Sequence, residues 1–133
     1  MNTFYLKIVT PDGLQYDGQA EELIVRTTSG DMGILANHEN CVAPLGMGRA
    51  TVIYDGKKHY AACIGGMVSV VNGKVTLVPT TFEWADQIDV DRAERAQKKA
   101  EDRLKASTSD TEVRLAEAKL HRALVRKSVA SYK

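Results

Sequence analysis

Residues 78–93 read VPTTFEWADQIDVDRA, and the character of the chain changes within them. All ten glycines and all three prolines lie at or before Pro79, and the rest of the chain contains neither. Glycine and proline occur at turns and interrupt helices, so the first part is predicted to form short elements and the second long helices. We therefore expect two domains, residues 1–84 and residues 85–133.

The composition places the chain among soluble globular proteins, with 44% hydrophobic and 26% charged residues. Residues 1–85 carry a net charge of −2 and residues 86–133 a net charge of +3. This excess is too small to indicate a nucleic-acid partner, which usually requires a clustered basic footprint. The chain has no apolar run of about 18 residues, so we expect no membrane span of its own. Its first residues also lack the basic and apolar regions of a secretory signal.

Cys41 and Cys63 are isolated in the sequence and lack the CxxC spacing of redox and metal motifs. We expect two reduced, buried thiols of a cytoplasmic protein, and a single disulfide is the alternative.

The first part shows short extended runs separated by turn signals. One run precedes Pro11-Asp12-Gly13, and a second, residues 20–28, ends at Ser29-Gly30-Asp31. Two further pairs of runs flank Asp55-Gly56 and Asn72-Gly73, which favour type I′ hairpins. The pattern predicts an N-terminal antiparallel β-sandwich or barrel.

The second part has helical periodicity. Mostly apolar residues recur at helical spacing, at Val90, Ala93, Gln97, Ala100 and Leu104, and again at Val113, Ala116, Leu120, Ala123 and Leu124. Asp89 is placed to cap the first helix, and either Ser109 or Asp110 the second. The short connection predicts a C-terminal antiparallel two-helix hairpin.

The predicted contact between the two helices consists mainly of alanine. Burying a leucine-sized side chain contributes about 1.5–3 kcal/mol, and alanine offers far less apolar surface. Such a hairpin holds together weakly. A second helix that detaches and a permanently docked hairpin both remain open.

No pattern in the sequence indicates catalysis. Asp31, His38 and Glu39 lie close in sequence, but their spacing matches no metal-site signature, and roles in turns are favoured. Neither a nucleophile elbow nor a phosphate-binding loop is present. We expect that the chain is not an enzyme.

Cations of the helical part indicate an anion site or a solvated basic face. Arg122 and Arg126 lie one turn apart on the second helix, and Arg92 and Lys99 lie on the first. In an antiparallel hairpin we expect Arg92 near the level of Arg122 and Arg126. A polyphosphate would neutralise such a cluster because arginine forms planar, charge-assisted bonds to phosphate oxygens.

Four stretches together carry a family resemblance. They are IVTPDG at residues 8–13, SGDMGILANH at 29–38, VAPL at 42–45 and IDVDRA at 88–93. In this order and at this chain length, the sequence resembles the ε subunit of bacterial F-type ATP synthases. The resemblance covers essentially the whole chain.

This resemblance implies a non-catalytic rotor subunit. Its sandwich would bind the γ subunit and rest on the ring of c subunits, with Asp31 and His38 as the ring contacts. The subunit would help couple proton flow to rotary ATP synthesis. It would lie peripherally at the cytoplasmic face of the bacterial plasma membrane.

The resemblance also implies a regulatory role for the hairpin. Extended, its basic second helix would reach the catalytic α/β subunits and restrain ATP hydrolysis; folded, it would permit hydrolysis. No cofactor is required, and ATP is the expected regulatory ligand. The implied ATP-binding residues are Glu83, Ile88, Asp89, Arg92, Ala93, Lys99, Arg122 and Arg126. Lys99 departs from the arginine of ATP-binding members, keeping the charge but losing the bidentate fork.

A free-standing nucleotide-sensing module is the alternative function. The two readings differ in the β domain, because a rotor mount needs an exposed apolar patch for γ and a soluble sensor does not. Co-purification with γ would separate them.

Overall fold

The computed structural model describes residues 2–132. The chain forms two compact units, the first ending at Trp84 and the second beginning at Ala85. The first unit contains the strands β1 (Phe4–Thr10), β2 (Gly13–Ala20), β3 (Glu22–Thr27), β4 (Gly30–Leu35), β5 (Cys41–Pro44), β6 (Met47–Tyr54), β7 (Lys57–Ile64), β8 (Met67–Val71), β9 (Lys74–Val78) and β10 (Thr81–Trp84). The second contains a 3₁₀ turn (Ala85–Gln87) and the helices α1 (Val90–Ala106) and α2 (Asp110–Ala130).

The strands form two separate five-stranded sheets. The first has the order β2-β1-β9-β8-β5 and the second the order β10-β7-β6-β3-β4. Strand pairs are antiparallel except β1 with β9, which is parallel. Alternate side chains of both sheets meet in one core that includes Leu6, Ile8, Leu23, Val25, Ile34, Val52, Val68 and Leu77. The predicted sandwich is confirmed, and the barrel alternative is wrong because the two sheets remain separate.

Two hairpins have the turn geometry that their sequences predict. Asp55 and Gly56 have φ of 52° and 71°, and Asn72 and Gly73 have φ of 49° and 80°. A type I′ turn requires positive φ at both central residues, which Asp-Gly and Asn-Gly adopt at little cost.

Two other hairpins each have a turn in which a threonine hydroxyl makes the same pair of hydrogen bonds. Thr10 Oγ1 accepts a hydrogen bond from Asp12 N at 3.1 Å and donates to the Gly13 carbonyl at 3.3 Å. Thr27 repeats the arrangement with Ser29 N at 3.1 Å and the Gly30 carbonyl at 2.7 Å. Both threonines are buried, so each hydroxyl replaces the water that would otherwise solvate the turn.

The second unit is an antiparallel helical hairpin whose ends are capped by side chains. Asp89 accepts from Arg92 N at 3.1 Å, and Ser109 accepts from Glu112 N at 3.2 Å. Of the two predicted caps of the second helix, Ser109 is therefore the correct one. The buried alanines of the hairpin are Ala93, Ala100, Ala116, Ala123 and Ala130. This agrees with the predicted alanine contact.

Both cysteines are free thiols, Cys63 buried and Cys41 half-buried. The disulfide alternative is therefore wrong.

Candidate functional site

The two ends of the sandwich differ in what they present. The threonine-centred turns Thr10–Gly13 and Thr27–Gly30 lie at one end, which we call the turn end. The opposite end, which we call the loop end, carries the Asn72-Gly73 hairpin and loop 36–40 after β4. Asn40 fixes this loop by accepting a hydrogen bond from Asn72 N at 2.8 Å.

Asp31 lies at the turn end, on the edge strand β4 and directly opposite Arg26 of β3. Arg26 Nε donates to Asp31 Oδ1 at 2.6 Å, and the two side chains are 50% and 60% exposed. The hydrogen bond that Arg26 donates to the Asp31 carboxylate raises the pKa of the guanidinium. Asp31 is therefore an accessible carboxylate whose position is defined by a partner.

His38 lies beyond the other end of the same strand. Its backbone N–H donates to the Leu35 carbonyl at 3.3 Å, and its Nδ1 lies 2.8 Å from the Glu39 carbonyl oxygen. The four residue steps from Asp31 to Leu35 span roughly 13 Å. Asp31 and His38 are thus separated by the length of β4. Within residues 2–132, no three His, Cys, Asp or Glu side chains converge as metal ligands would.

An apolar patch lies on the outer face of the first sheet. It consists of Val42, Pro44, Met67, Val71 and Val78, all of them exposed. The strand registers align Pro44 with Met67 and Met67 with Val78. The residues that alternate with them, such as Val68 and Leu77, point into the core. Val42 is 65% exposed and Met67 is 44% exposed, so the patch is open to a partner.

The expected ATP-binding residues occupy different environments. Ile88 and Ala93 are buried, Arg92 and Lys99 are exposed, and Arg122 and Arg126 are half-buried. Asp89 caps α1 through its carboxylate, a role it has without any ligand. Glu83 belongs to the first unit, where it lies half-buried on β10 opposite Ala62.

The register of the hairpin decides which cations share a level. Lys127 Nζ donates to Gln97 Oε1 at 3.2 Å across the two helices. Both side chains are long and lean toward the amino ends of their own helices, so this bond alone does not fix the register. The short connection at residues 107–109 and the contact of the 3₁₀ turn with α2 fix it better. At about 1.5 Å per residue, they place Arg92 within roughly 3 Å of the levels of Arg122 and Arg126, and Lys99 roughly 7 Å or more from both. The proximity of Arg92 to the two arginines stays a prediction.

Sequence reasoning missed Arg26, which has no motif around it. Its position in the sequence could have indicated it: Arg26 and Asp31 directly flank the Thr27–Gly30 turn, so they face each other if that turn closes a hairpin.

The comparisons with known proteins cover both units. The sequence model of the beta-sandwich domain of the ATP synthase Delta/Epsilon chain matches residues 3–85. The model of the long alpha-helix domain of the same chain matches residues 86–131. The chain belongs to the ATP synthase delta/epsilon chain family.

Individual members of the family match along the full chain. The ATP synthase epsilon chain of Ruminococcus albus is 44% identical over 100% of both chains. That of Bacillus velezensis is 45% identical over 98% of each chain. The predicted resemblance to bacterial ε subunits is thereby confirmed. As a member of the delta/epsilon family, the chain is a non-catalytic subunit of an ATP synthase.

Solved structures share the delta/epsilon fold. A chain in the cryo-EM structure of Euglena gracilis mitochondrial ATP synthase (OSCP/F1/c-ring, rotational state 1) superposes with a TM-score of 0.83 at 24% identity, covering 98% of this chain and 82% of that one. A chain of the Tetrahymena thermophila mitochondrial ATP synthase central stalk and c-ring gives 0.71 at 10% identity, with 95% of each chain covered. Among residues 2–132, neither helix is long and apolar enough to span a membrane.

Proposed function

We propose that the chain is a rotor subunit of a bacterial, proton-translocating ATP synthase, peripheral at the cytoplasmic face of the membrane. Residues 1–84 form the mount and residues 85–133 regulate ATP hydrolysis. The observation that carries the proposal is the exposed apolar patch on the outer face of the first sheet.

The patch supports γ as the partner of the mount. Contiguous apolar surface on a soluble protein marks an interaction site, since water solvates it poorly. Here Pro44, Met67 and Val78 form one row across three neighbouring strands, and Val42 and Val71 lie on the same face. The rigid core beneath them holds the patch in shape without a partner. The alternative, a free-standing nucleotide sensor, gives no reason for such a surface.

For the c-ring contact, the edge strand β4 is the proposed surface. A partner at the turn end would meet Asp31 alone, whereas a partner lying along β4 would meet both Asp31 and His38. Cysteines introduced singly at these positions would be crosslinked to the assembled ring. Crosslinking of both supports a contact along β4, crosslinking of Asp31→Cys alone confines the ring to the turn end, and crosslinking of neither contradicts the ring contact.

For the helical unit, ATP is the proposed regulatory ligand. Arg92, Arg122 and Arg126 would bind its phosphates, since a hairpin closed at residues 107–109 has them at similar levels. Asp89, Ile88, Ala93 and Lys99 would form the remainder of the site. Lysine at position 99 offers a point charge in place of a planar fork, so we expect weaker binding than an arginine would give.

The test is calorimetric titration of the full chain with ATP and with ADP. Asp89→Asn keeps an oxygen that can cap α1 and removes the carboxylate charge, whereas Asp89→Ala removes both. A role in ligand binding predicts that both variants change ATP affinity; a capping role alone predicts that only Asp89→Ala loses helix stability. No heat of binding at millimolar ATP would contradict the sensor proposal.

The size of a nucleotide effect is limited by linkage. ATP at one hundred times its dissociation constant stabilises the folded hairpin by about 2.7 kcal/mol. Converting a nearly all-extended population into a nearly all-folded one requires about 5.5 kcal/mol of differential binding. ATP would therefore bias the hairpin, and contacts of the extended second helix with the α/β subunits would supply the opposing bias.

A further inference from the structure

We propose that Arg26 is a positioning residue that orients the Asp31 carboxylate toward the partner at the turn end. This inference rests on the proposed contact of Asp31 with the ring. The observation behind it is the Arg26–Asp31 ion pair across the β3–β4 hairpin. The Arg26 side chain of this pair packs against Gly46 and Gly48.

The hairpin itself fixes the distance between the two residues. Arg26 and Asp31 are register partners immediately before and after the turn. The Thr27 hydroxyl closes that turn with two hydrogen bonds, to Ser29 N and the Gly30 carbonyl. Because the turn is tied internally, a bond between the two side chains costs little additional backbone ordering.

Two glycines make room for the Arg26 side chain. A Cβ on Gly48 would lie 2.7 Å from Arg26 Cβ and 3.1 Å from its Cγ. A Cβ on Gly46 would lie 3.5 Å from Arg26 Cγ and 3.3 Å from the Thr27 carbonyl oxygen. Neither glycine has a positive φ. Turn geometry therefore gives no reason for glycine there, whereas the space that the arginine stem occupies does.

The result is a carboxylate that a partner meets already oriented. One oxygen, Oδ1, accepts from Arg26 Nε at 2.6 Å, and the Asp31 side chain remains 60% exposed. A carboxylate held in one orientation loses less conformational freedom on binding than a free one. Arg26 also balances its charge, so the partner meets a neutral pair.

The experiment measures the affinity of the full chain, bound to γ, for the purified c-ring. Arg26→Gln is expected to weaken binding about two- to five-fold, the range that exposed ion pairs contribute. Arg26→Lys restores it only in part, because lysine keeps the charge without the planar fork. In the Asp31→Asn background, Arg26→Gln is expected to have no further effect. An equal loss in both backgrounds, or a gain in affinity, would overturn the proposal.

A second variant tests positioning without changing any charge. Gly48→Ala displaces the Arg26 stem and is expected to weaken ring binding as Arg26→Gln does. Gly18→Ala is the matched control, because the nearest atom to its Cβ is 3.4 Å away and its φ is not positive. Thermal unfolding of each variant shows whether a loss reflects the fold instead.

Nitrogen-15 NMR of the isolated full chain separates this inference from the proposed ring contact. The Arg26 Nε–H resonance is expected to shift in Asp31→Asn and in Gly48→Ala. If it shifts while Asp31→Asn leaves ring affinity unchanged, the pair exists but the ring contact, and with it the functional role of Arg26, is refuted. If it shifts in neither variant, the positioning role itself is refuted.

Discussion

At the scale of single residues, two glycines are required for different reasons: one for its positive φ alone, the other also because a side chain would not fit. Gly66 has φ of 95°, and a Cβ there would lie 2.0 Å from the Val78 carbonyl oxygen. Gly73 has φ of 80°, but nothing lies within 4 Å of its Cβ position. Both residues need positive φ, and Gly66 additionally needs the absence of a side chain.

Gly66→Ala is therefore expected to destabilise the sandwich by about 3 kcal/mol, since the backbone of the β9–β10 connection must move. Gly73→Ala is expected to cost about 1 kcal/mol, for the strained φ alone. Denaturant unfolding of both variants measures the difference. Equal losses would show that steric contact at Gly66 is relieved elsewhere.

The two cysteines differ in their chemistry because they differ in burial. Burial raises the pKa of the Cys63 thiol from 9.0 to about 12, and Cys41 is only half-buried. We expect iodoacetamide to label Cys41 in the folded chain at pH 8.5 and to label Cys63 only after unfolding. Mass spectrometry of the labelled peptides measures this, and early labelling of Cys63 would contradict its buried position.

The same pKa shift predicts an effect of pH on stability. A thiol whose pKa is raised in the folded state stabilises that state fully below its unfolded pKa, and the contribution is lost as pH rises toward the folded pKa. The contribution of Cys63 is thus expected to fall between pH 9 and about 12. Cys63→Ala should lose this part of the alkaline destabilisation and Cys41→Ala should keep it, as measured by unfolding at each pH.

At the scale of elements, the same threonine-centred turn occurs in two hairpins, one of which carries Asp31 of the candidate site. Thr10 and Thr27 occupy the same position in their hairpins, three residues before a glycine with φ of 123° or 117°. Each hydroxyl makes hydrogen bonds with two backbone groups of its turn. The turn beside Asp31 is therefore held in one conformation by its own hydrogen bonds.

Thr27→Val is expected to lower stability by about 1–3 kcal/mol, because two hydrogen bonds of a buried hydroxyl are lost while the shape is kept. Thr28→Val is the control, since Thr28 is exposed and should change stability by less than about 0.5 kcal/mol. Thermal unfolding compares the two. If both variants behave alike, the hydroxyl of Thr27 is not what holds the turn.

The elements that could be predicted are those with a strong local signal. The Asn72-Gly73 hairpin and the start of α1 after Asp89 follow from turn and cap chemistry, and both are present. β4 was missed because Gly30 and Gly33 resemble turn residues, although Gly30 begins an edge strand. The parallel pairing of β1 with β9 depends on the whole sheet, so no local pattern indicates it.

At the scale of the whole chain, each unit presents a different kind of surface. The sandwich combines the apolar patch with the Arg26–Asp31 pair at the turn end. The hairpin combines a contact made of alanine with cations on both helices. The sequence could predict which residues belong to the candidate site, but not which of them contact one another. The partner of Asp31 depends on the strand register, which the sequence does not express locally.

The affinity for purified γ tests the central claim, that the apolar patch mounts this subunit on the rotor, most directly. Met67→Lys places a charge between Pro44 and Val78 of the patch, and Leu35→Lys places one at a more exposed residue of β4, in the second sheet. We predict that Met67→Lys weakens γ binding at least about tenfold, and that Leu35→Lys leaves it unchanged. Unchanged binding of a folded Met67→Lys variant would contradict the account.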